Sequence, residues 1–469
     1  LLKVLFVSFE VSPFAKVGGL ADVAGSLPKA LRTAGVDIRV AMPAFRMVEA
    51  ITRAPVSAAF EVAINPEWTR AAYLRETTLP NSDVPVYLVG TDDYFNHTIE
   101  SSQVYQPGVD QHLFFSTAVL EMCKALQWKP DIIHTNDWHL GLVPLILREK
   151  VEKEWDSVAS VHTIHNFAYQ GEFGAEVLDQ LGLPSVLFNL HKTEAYGRLN
   201  FLKTGCAMAD MVTTVSPRYA QEIQTPQYGE RLEGLMSFLA SQGRLAGILN
   251  GLDTEVFSPE RDPDIPANFS VHDLAGKETC KRELQRELGL PQSDVPLFGV
   301  VSRLSRQKGL DLLCDGWPQI QGAQLVVQGL GDQDLVDQLR ALSTSPNVAF
   351  VERFDAPLAQ RVYAGCDAFV MPSRFEPCGL GQLIAMQYGT VPVVRATGGL
   401  ADTVSSENGF VFEELTTKGL CNALETAIAA FGTEQWIKIQ RAGMTANHGW
   451  SAHVPSYLSA YKAAIDFRK

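Results

Sequence analysis

A chain of 469 residues exceeds what one hydrophobic core supports, since cores stop growing at about 250–300 residues, so at least two domains are expected. Its composition, 46% hydrophobic and 20% charged, is that of an ordinary globular protein. The formal net charge of −14 argues against a general affinity for nucleic acid, which needs basic stripes. A small anion is still admissible, because it responds to the local field of its pocket. The seven cysteines, at 123, 206, 280, 314, 366, 378 and 421, are widely spaced, odd in number and never C-x-x-C. They read as reduced thiols, not as a disulfide frame or a zinc site. No stretch reaches the roughly 20 apolar residues of a membrane helix, and the opening run VLFVSF reads as a strand without the basic-then-apolar pattern of a signal peptide. A cytoplasmic protein without a membrane partner is expected.

In chain order, the first predicted strand is KVLFVSF, followed by the turn KVGGL and a helix from Gly19 whose Leu20, Val23, Ala24, Leu27 and Leu31 share one face. Further strands follow at DIRVAMP, PVYLVG, DIIHTN, VASVHTIHN and MVTTVSP. After a Pro-, Asp- and Asn-rich break, with a linker placed at Gly251–Asp264, a second series begins: PLFGVVSR, AQLVVQG, NVAFVER, DAFVMPS and TVPVVRA. These runs are almost continuously apolar, as strands buried on both faces of a parallel sheet are, and the intervening helices complete βαβ units. The expected fold is α/β, with two Rossmann-like domains in series and a final helix in SAHVPSYLSAYKAAIDFRK.

In open parallel sheets ligands bind beyond the carboxyl ends of the strands, and the polar residues collect there. KVGGL places Lys16, Gly18 and Gly19 after the first strand, and RATGGLADTV repeats the turn with Thr397, Gly398 and Gly399. Glycines let a backbone approach a ligand, and helix-start amides attract an anion. KVGGL lacks G-x-G-x-x-G spacing, so a nicotinamide or flavin is not indicated. Arg303 and Lys308 in VVSRLSRQKGLDLL suit a diphosphate, the first by forked hydrogen bonds and the second as a point charge. In MPSRFEPCGL, Glu376 suits sugar hydroxyls beside a phosphate, or it caps the following helix, placed at about Leu380 to Tyr388. His134, Asp137, His139, His162 and His165 invite a metal reading, but His134 and His162 lie within strand patterns and H-E-x-x-H spacing is absent. Asp262–Asp264 and Asp332–Asp334 match D-x-D by letters only, the first in the linker and the second as a turn with a helix cap.

In order along the chain, KVGGLADVAGSLPKAL, NDWH, TIHNFAYQGEF, FLKTG, VTTVSPRYAQEI, ILNGLDTEVFSP, SRLSRQKGLDLL, PSRFEPCGL and ATGGLADTV resemble the bacterial glycogen synthase and plant starch synthase family. The resemblance implies a GT-B fold, two Rossmann-like domains facing across a deep cleft, with the last helix crossing back to the first. It implies an acceptor-side domain over 1–252, a nucleotide-sugar-binding domain over 253–450 and the returning helix over 451–469. The implied reaction is retaining transfer of glucose from ADP-glucose to the non-reducing end of an α-1,4-glucan, with no metal and no cofactor. Arg303 and Lys308 would then neutralise the leaving diphosphate.

Carried over by position, Lys16, Gly18 and Gly19 match the family's donor and acceptor loop, and Asp22 its neighbouring acid. Asp137 and His165 match residues at the reacting sugar, with His165 expected to contact the glucose, Asn250 matches an active-site, donor-binding residue at the hinge, and Glu376 the acid that holds glucose hydroxyls. Cys378, Gly379 and Leu380 match a turn whose amides face the sugar, and Phe354 takes the place of an aromatic, often Tyr, on the base. The second Gly-Gly turn, Thr397 to Gly399, is expected to close on the donor. The chain departs from the family at Pro107, Gly108, Gln111 and His112, where Tyr-x-Asp-Asn-x-x-Arg-Phe is frequent, and at Arg231 and Gly381, whereas Ile384, in place of the second Glu of the E-x7-E pattern of related transferases, fits starch and glycogen synthases. Two alternatives stay open on the sequence: a UDP-glucose-dependent transferase, or a glucan-binding homologue without turnover.

Overall fold

Each of the apolar runs becomes a strand with a parallel neighbour, because a strand covered on both faces has no solvent side to alternate with. The computed structural model describes residues 1–469. Two compact units divide the chain, one of residues 1–251 with 450–469 and the other of residues 252–449.

The first unit contains β1 (Lys3–Val7), β2 (Asp37–Pro43), β3 (Val56–Asn65), β4 (Trp68–Thr78), β5 (Pro85–Gly90), β6 (Ile132–Asn136) and β7 (Ala159–Ile164). It continues with the short β8 (Glu172–Phe173), β9 (Glu194–Ala195) and β10 (Arg198–Asn200), then β11 (Met211–Thr214) and β12 (Leu245–Gly247). Nine of these form one sheet in the order β12-β11-β7-β6-β1-β2-β5-β4-β3, and β8-β10-β9 make a small antiparallel sheet. From β12 to β5 every neighbouring pair is parallel. The antiparallel β3–β4 hairpin at the edge has no counterpart among the predicted strands. Since β2 lies on one side of β1 and β6 on the other, the connections diverge at the β1/β6 boundary. That is the switch point beyond which such sheets take ligands.

The second unit holds β13 (Leu297–Val301), β14 (Gln324–Gln328), β15 (Val348–Val351), β16 (Ala368–Met371), β17 (Val391–Arg395) and β18 (Phe410–Phe412). They are all parallel, in the order β15-β14-β13-β16-β17-β18, which puts this sheet's switch point at β13/β16. The stretch placed as a linker belongs to this unit from Leu252 onward. Leu252 and Ile265 are in its core, and buried Asp262 accepts from the Tyr388 hydroxyl at 2.5 Å and from Gln360 Nε2 at 3.0 Å.

Helix α1 (Gly19–Thr33) buries Leu20, Val23, Ala24, Leu27 and Leu31, the face read from the sequence. Each large aliphatic side chain covered this way contributes about 1.5–3 kcal/mol. The last helix, Val454–Arg468, packs into the first unit, where Tyr457, Tyr461 and Ala464 join the core of β1 and β6. Polar contacts fix this segment: just before the helix Trp450 Nε1 donates to Ser26 Oγ at 2.8 Å, the Tyr461 hydroxyl lies 2.8 Å from His134 Nδ1, and Arg468 Nε donates to the Asp156 carbonyl at 2.5 Å.

Candidate active site

In the first unit, the candidate residues collect beyond the ends of β1, β6 and β7. The β1 strand runs into Glu10, a buried carboxylate that sequence reasoning missed. Its Oε2 accepts from the amides of Val17 at 2.6 Å and Gly18 at 2.7 Å, and its Oε1 accepts from the Tyr105 hydroxyl. Burial raises the Glu10 pKa against those bonds. The two amides expected to await a ligand's anion are thus already filled from within. Lys16 Nζ reaches Asp22 Oδ1 at 2.7 Å across the start of α1, and burial raises Asp22 too. The altered run at 106–112 and the tyrosine before it pack on the turn after β6: Tyr105 stacks on His139 with centroids 4.2 Å apart, and His112 lies 5.0 Å from Trp138.

Asp137 follows β6 with φ 59° and ψ 176°, a region that is essentially glycine's alone and that clusters at functional sites. Its carboxylate accepts from the His165 amide at 2.7 Å and from the Asn166 amide, while burial pushes its pKa up to about 7. His165 Nε2 lies 2.9 Å from Asn136 Oδ1, and Asn136 Nδ2 donates to the Val7 carbonyl at 2.9 Å. This orientation of the Asn136 amide puts the ring proton on Nε2 and leaves Nδ1 as an acceptor. Burial holds His165 neutral, with a pKa of about 3. His134 and His162 are core residues. His134 meets Tyr461 and, at 2.6 Å, Thr163 Oγ1, whereas His162 Nδ1 meets Thr135 Oγ1 at 2.8 Å. Asn250 is buried near the end of the unit's main stretch, and its Oδ1 has no protein partner.

In the second unit Lys308 and the acid meet at the β13/β16 switch point. Lys308 Nζ donates to Glu376 Oε2 at 2.6 Å, and Ser373 Oγ donates to the same oxygen at 3.0 Å. Glu376 is not the helix cap: that helix runs Gly381–Gln387 with Leu380 at its N-cap. Two arginines not singled out from the sequence hold the acid's loop. Arg374 forks onto Asp311 at 2.7 and 2.6 Å and onto the Arg306 carbonyl at 2.8 Å, tying it to the turn that carries Lys308. Arg395 Nη1 donates to the Arg374 carbonyl at 2.8 Å. Arg303 is exposed just beyond β13, and Phe354 is 71% exposed after β15.

The second Gly-Gly turn serves the first purpose the site requires, which is to shape Glu376's backbone. The Gly399 amide donates to the Glu376 carbonyl at 3.0 Å, and a Cβ on Gly398, at φ 45°, would meet that oxygen at 1.9 Å. A Cβ on Gly399 would meet the Cys378 carbonyl at 2.2 Å. Thr397 sits at the N-cap of this helix (Gly398–Thr403). Gly379, at φ 75°, turns the chain between buried Cys378 and half-buried Leu380. Asp332 does stand at the N-cap of Gln333–Leu342, but its side chain makes no cap hydrogen bond.

The family described as starch synthase catalytic domain matches residues 3–238, and that described as glycosyl transferases group 1 matches residues 295–430. A glycogen synthase of Syntrophotalea carbinolica is 41% identical over 485 residues, covering 99% of both chains. Glycogen synthase 2 of Geobacter metallireducens is 43% identical over 494 residues, covering 100% of both. Among solved structures, the catalytic domain of starch synthase IV from Arabidopsis thaliana, bound to ADP and acarbose, superposes with a TM-score of 0.91 at 31% identity over 99% of both chains. A sucrose-phosphate synthase from Thermosynechococcus elongatus, with a TM-score of 0.61 and 19% identity over 98% of both chains, shares the fold.

Proposed function

The chain belongs to the glycogen and starch synthase family of GT-B glucosyltransferases, and on that basis we propose that it moves glucose from ADP-glucose to the non-reducing end of an α-1,4-glucan with retention of configuration. The observation that carries the reading is the Lys308–Glu376 pair at the second sheet's switch point, a cation and a sugar-holding acid 2.6 Å apart. The ADP and acarbose bound to the Arabidopsis relative support the nucleotide and the glucan.

In this reading the second unit binds the nucleotide sugar. Lys308 and Arg303 neutralise the diphosphate, Glu376 orients glucose hydroxyls, the turn Cys378-Gly379-Leu380 presents amides to the sugar, and exposed Phe354 stacks on the base. Thr397 and Gly398 flank the donor while Gly399 braces Glu376. The first unit supplies the acceptor side, with Lys16, Gly18, Gly19 and Asp22 on the Glu10-braced loop. His165 accepts a glucose hydroxyl at Nδ1, Asp137 fixes the His165 turn, and Asn250 offers its unpartnered Oδ1. The glucan hydroxyl attacks the anomeric carbon on the face the diphosphate leaves. The bond from that carbon to the phosphate oxygen breaks, the new glycosidic bond forms, and the hydroxyl proton passes to the departing phosphate oxygen. ADP and a glucan longer by one glucose result. The seven cysteines are buried and none is in a disulfide, which supports a reducing, cytoplasmic setting, and no helix is long and apolar enough to cross a membrane.

ADP release and glucan extension with ADP-glucose or UDP-glucose test this, in wild type and Glu376→Ala. Extension with ADP-glucose, lost by at least a hundredfold in a folded Glu376→Ala, is expected. Extension with UDP-glucose alone would overturn the donor, and extension with neither would overturn the activity.

A further inference from the structure

A hollow of about 400 Å³ opens in the first unit beside α2 (Arg46–Thr52), the turn that follows it and β4. None of the residues assigned above to the transfer reaction lines it. Its charged lining is Arg46, Arg53 and Arg75 with one acid, Glu49. Glu49 is already committed: Arg75 Nε donates to Glu49 Oε1 at 3.0 Å, and Arg75 Nη1 donates to the Ala54 carbonyl at 2.6 Å. Arg75 is therefore held in place, while Arg46 and Arg53 are exposed cations without an acidic partner. In a chain of net charge −14, three guanidiniums around one hollow with one carboxylate make a local positive field.

The backbone sets Arg53 apart as well. Arg53 is the C-cap of α2, at φ 49° and ψ 25°, the left-handed conformation for which glycine is the usual choice. A long cationic side chain occupies a position whose backbone favours having none, and that side chain lines the hollow.

We infer that this hollow binds a small phosphate-bearing anion, gripped by Arg46 and Arg53 and by Arg75 braced on Glu49. Planar guanidiniums match phosphate oxygens with forked hydrogen bonds, better than point-like ammonium groups do. The volume falls within the range of small-molecule pockets, about 300–1,000 Å³, and leaves room for an organic group on the phosphate. Free inorganic phosphate and a hexose monophosphate present the same head group.

Calorimetric titration of the full chain with inorganic phosphate, and separately with a hexose monophosphate, tests the site at ionic strength held constant with chloride. Saturable binding of at least one probe is expected, weakened at least tenfold by Arg46→Ala and by Arg53→Gly. Tighter binding of the ester identifies a sugar phosphate as the occupant, and equal binding identifies the phosphate alone. Arg53→Gly suits the left-handed backbone, so its melting temperature should not fall, and glucan extension without added phosphate should match wild type. Phosphate held instead by Lys308 would survive Arg53→Gly and vanish in Lys308→Ala. No saturable binding of either probe, or binding that survives both arginine substitutions, overturns the proposal. The titration needs no turnover, so its result is independent of the transferase reading.

Discussion

The Glu10 carboxylate holds the Gly18 amide at 2.7 Å and the Val17 amide at 2.6 Å, so the loop ahead of α1 is shaped by an acid from the end of β1. Hydrogen bonds to a charged group contribute about 1.5–3 kcal/mol each. Glu10→Gln puts an amide NH₂ where one of its two oxygens accepted, which breaks one side of this bracket. We expect glucan extension to fall about 10- to 100-fold while the fold persists, measured as kcat/KM alongside circular dichroism.

The two Gly-Gly turns should respond differently to a methyl group. Gly398→Ala drives a Cβ to 1.9 Å from the Glu376 carbonyl at a left-handed φ of 45°, and it should destabilise the protein by roughly 3 kcal/mol. Gly18 has an extended backbone, and nothing lies within 4 Å of where its Cβ would stand. Gly18→Ala should therefore leave thermal melting within about 0.5 kcal/mol of wild type. If that open space is where substrate approaches the loop, the same variant loses at least tenfold in extension.

Burial moves Asp137 from 3.8 to about 7. The folded state thus keeps a proton that the unfolded chain has lost, and this group's stabilising contribution falls as pH rises from about 4 through 7, by about 1.4 kcal/mol per unit. Asp137→Asn removes that dependence, so its melting temperature relative to wild type should be higher at pH 8 than at pH 5. No such gain at pH 8 would contradict the buried, proton-retaining carboxyl.

The histidines act in the opposite sense. His112, His134, His162 and His165 are held near 3 by burial, so the folded state stays neutral while the unfolded chain protonates below 6.5. Their contribution is present above 6.5 and is lost progressively as pH falls toward 3. A tryptophan-fluorescence acid titration of His162→Gln should show a shallower loss of stability below pH 6.5 than wild type.

Arg374 spans both oxygens of Asp311 and the Arg306 carbonyl, joining the Glu376 loop to the Lys308 turn. Lysine cannot make that fork. Arg374→Lys should lower kcat about tenfold with little change in KM for the glucan, since the two groups it positions are assigned to the donor. An equal loss in a variant whose melting temperature collapses would show a merely structural role.

What could be read in advance followed from burial. Strands such as Ile132–Asn136 and Val391–Arg395 are covered on both faces and declare themselves as apolar runs. The hairpin Val56–Asn65 and Trp68–Thr78 lies at the sheet's edge and mixes exposed and covered residues, with charged Glu61, Arg70, Arg75 and Glu76 among them, so no apolar run marks it. Lys308 and Glu376 could be picked out because each stands in a strand-to-helix turn. Glu10 could not, because its partners are backbone amides, which carry no letter. Arg374 lies inside the PSRFEP run already singled out, yet its partner Asp311 is 63 residues away, a pairing no local spacing reveals.

The first unit is assembled from two pieces of chain, and the second is inserted between them. Synthesis delivers residues 252–449 complete before Trp450, Tyr457 and Tyr461 exist to enter the first unit's core. Domains made on the ribosome ordinarily finish from the N-terminus onward. Here the order is inverted: the half that begins first is the last to be finished, and until the final twenty residues emerge its sheet carries an uncovered apolar flank, with His134 lacking its tyrosine.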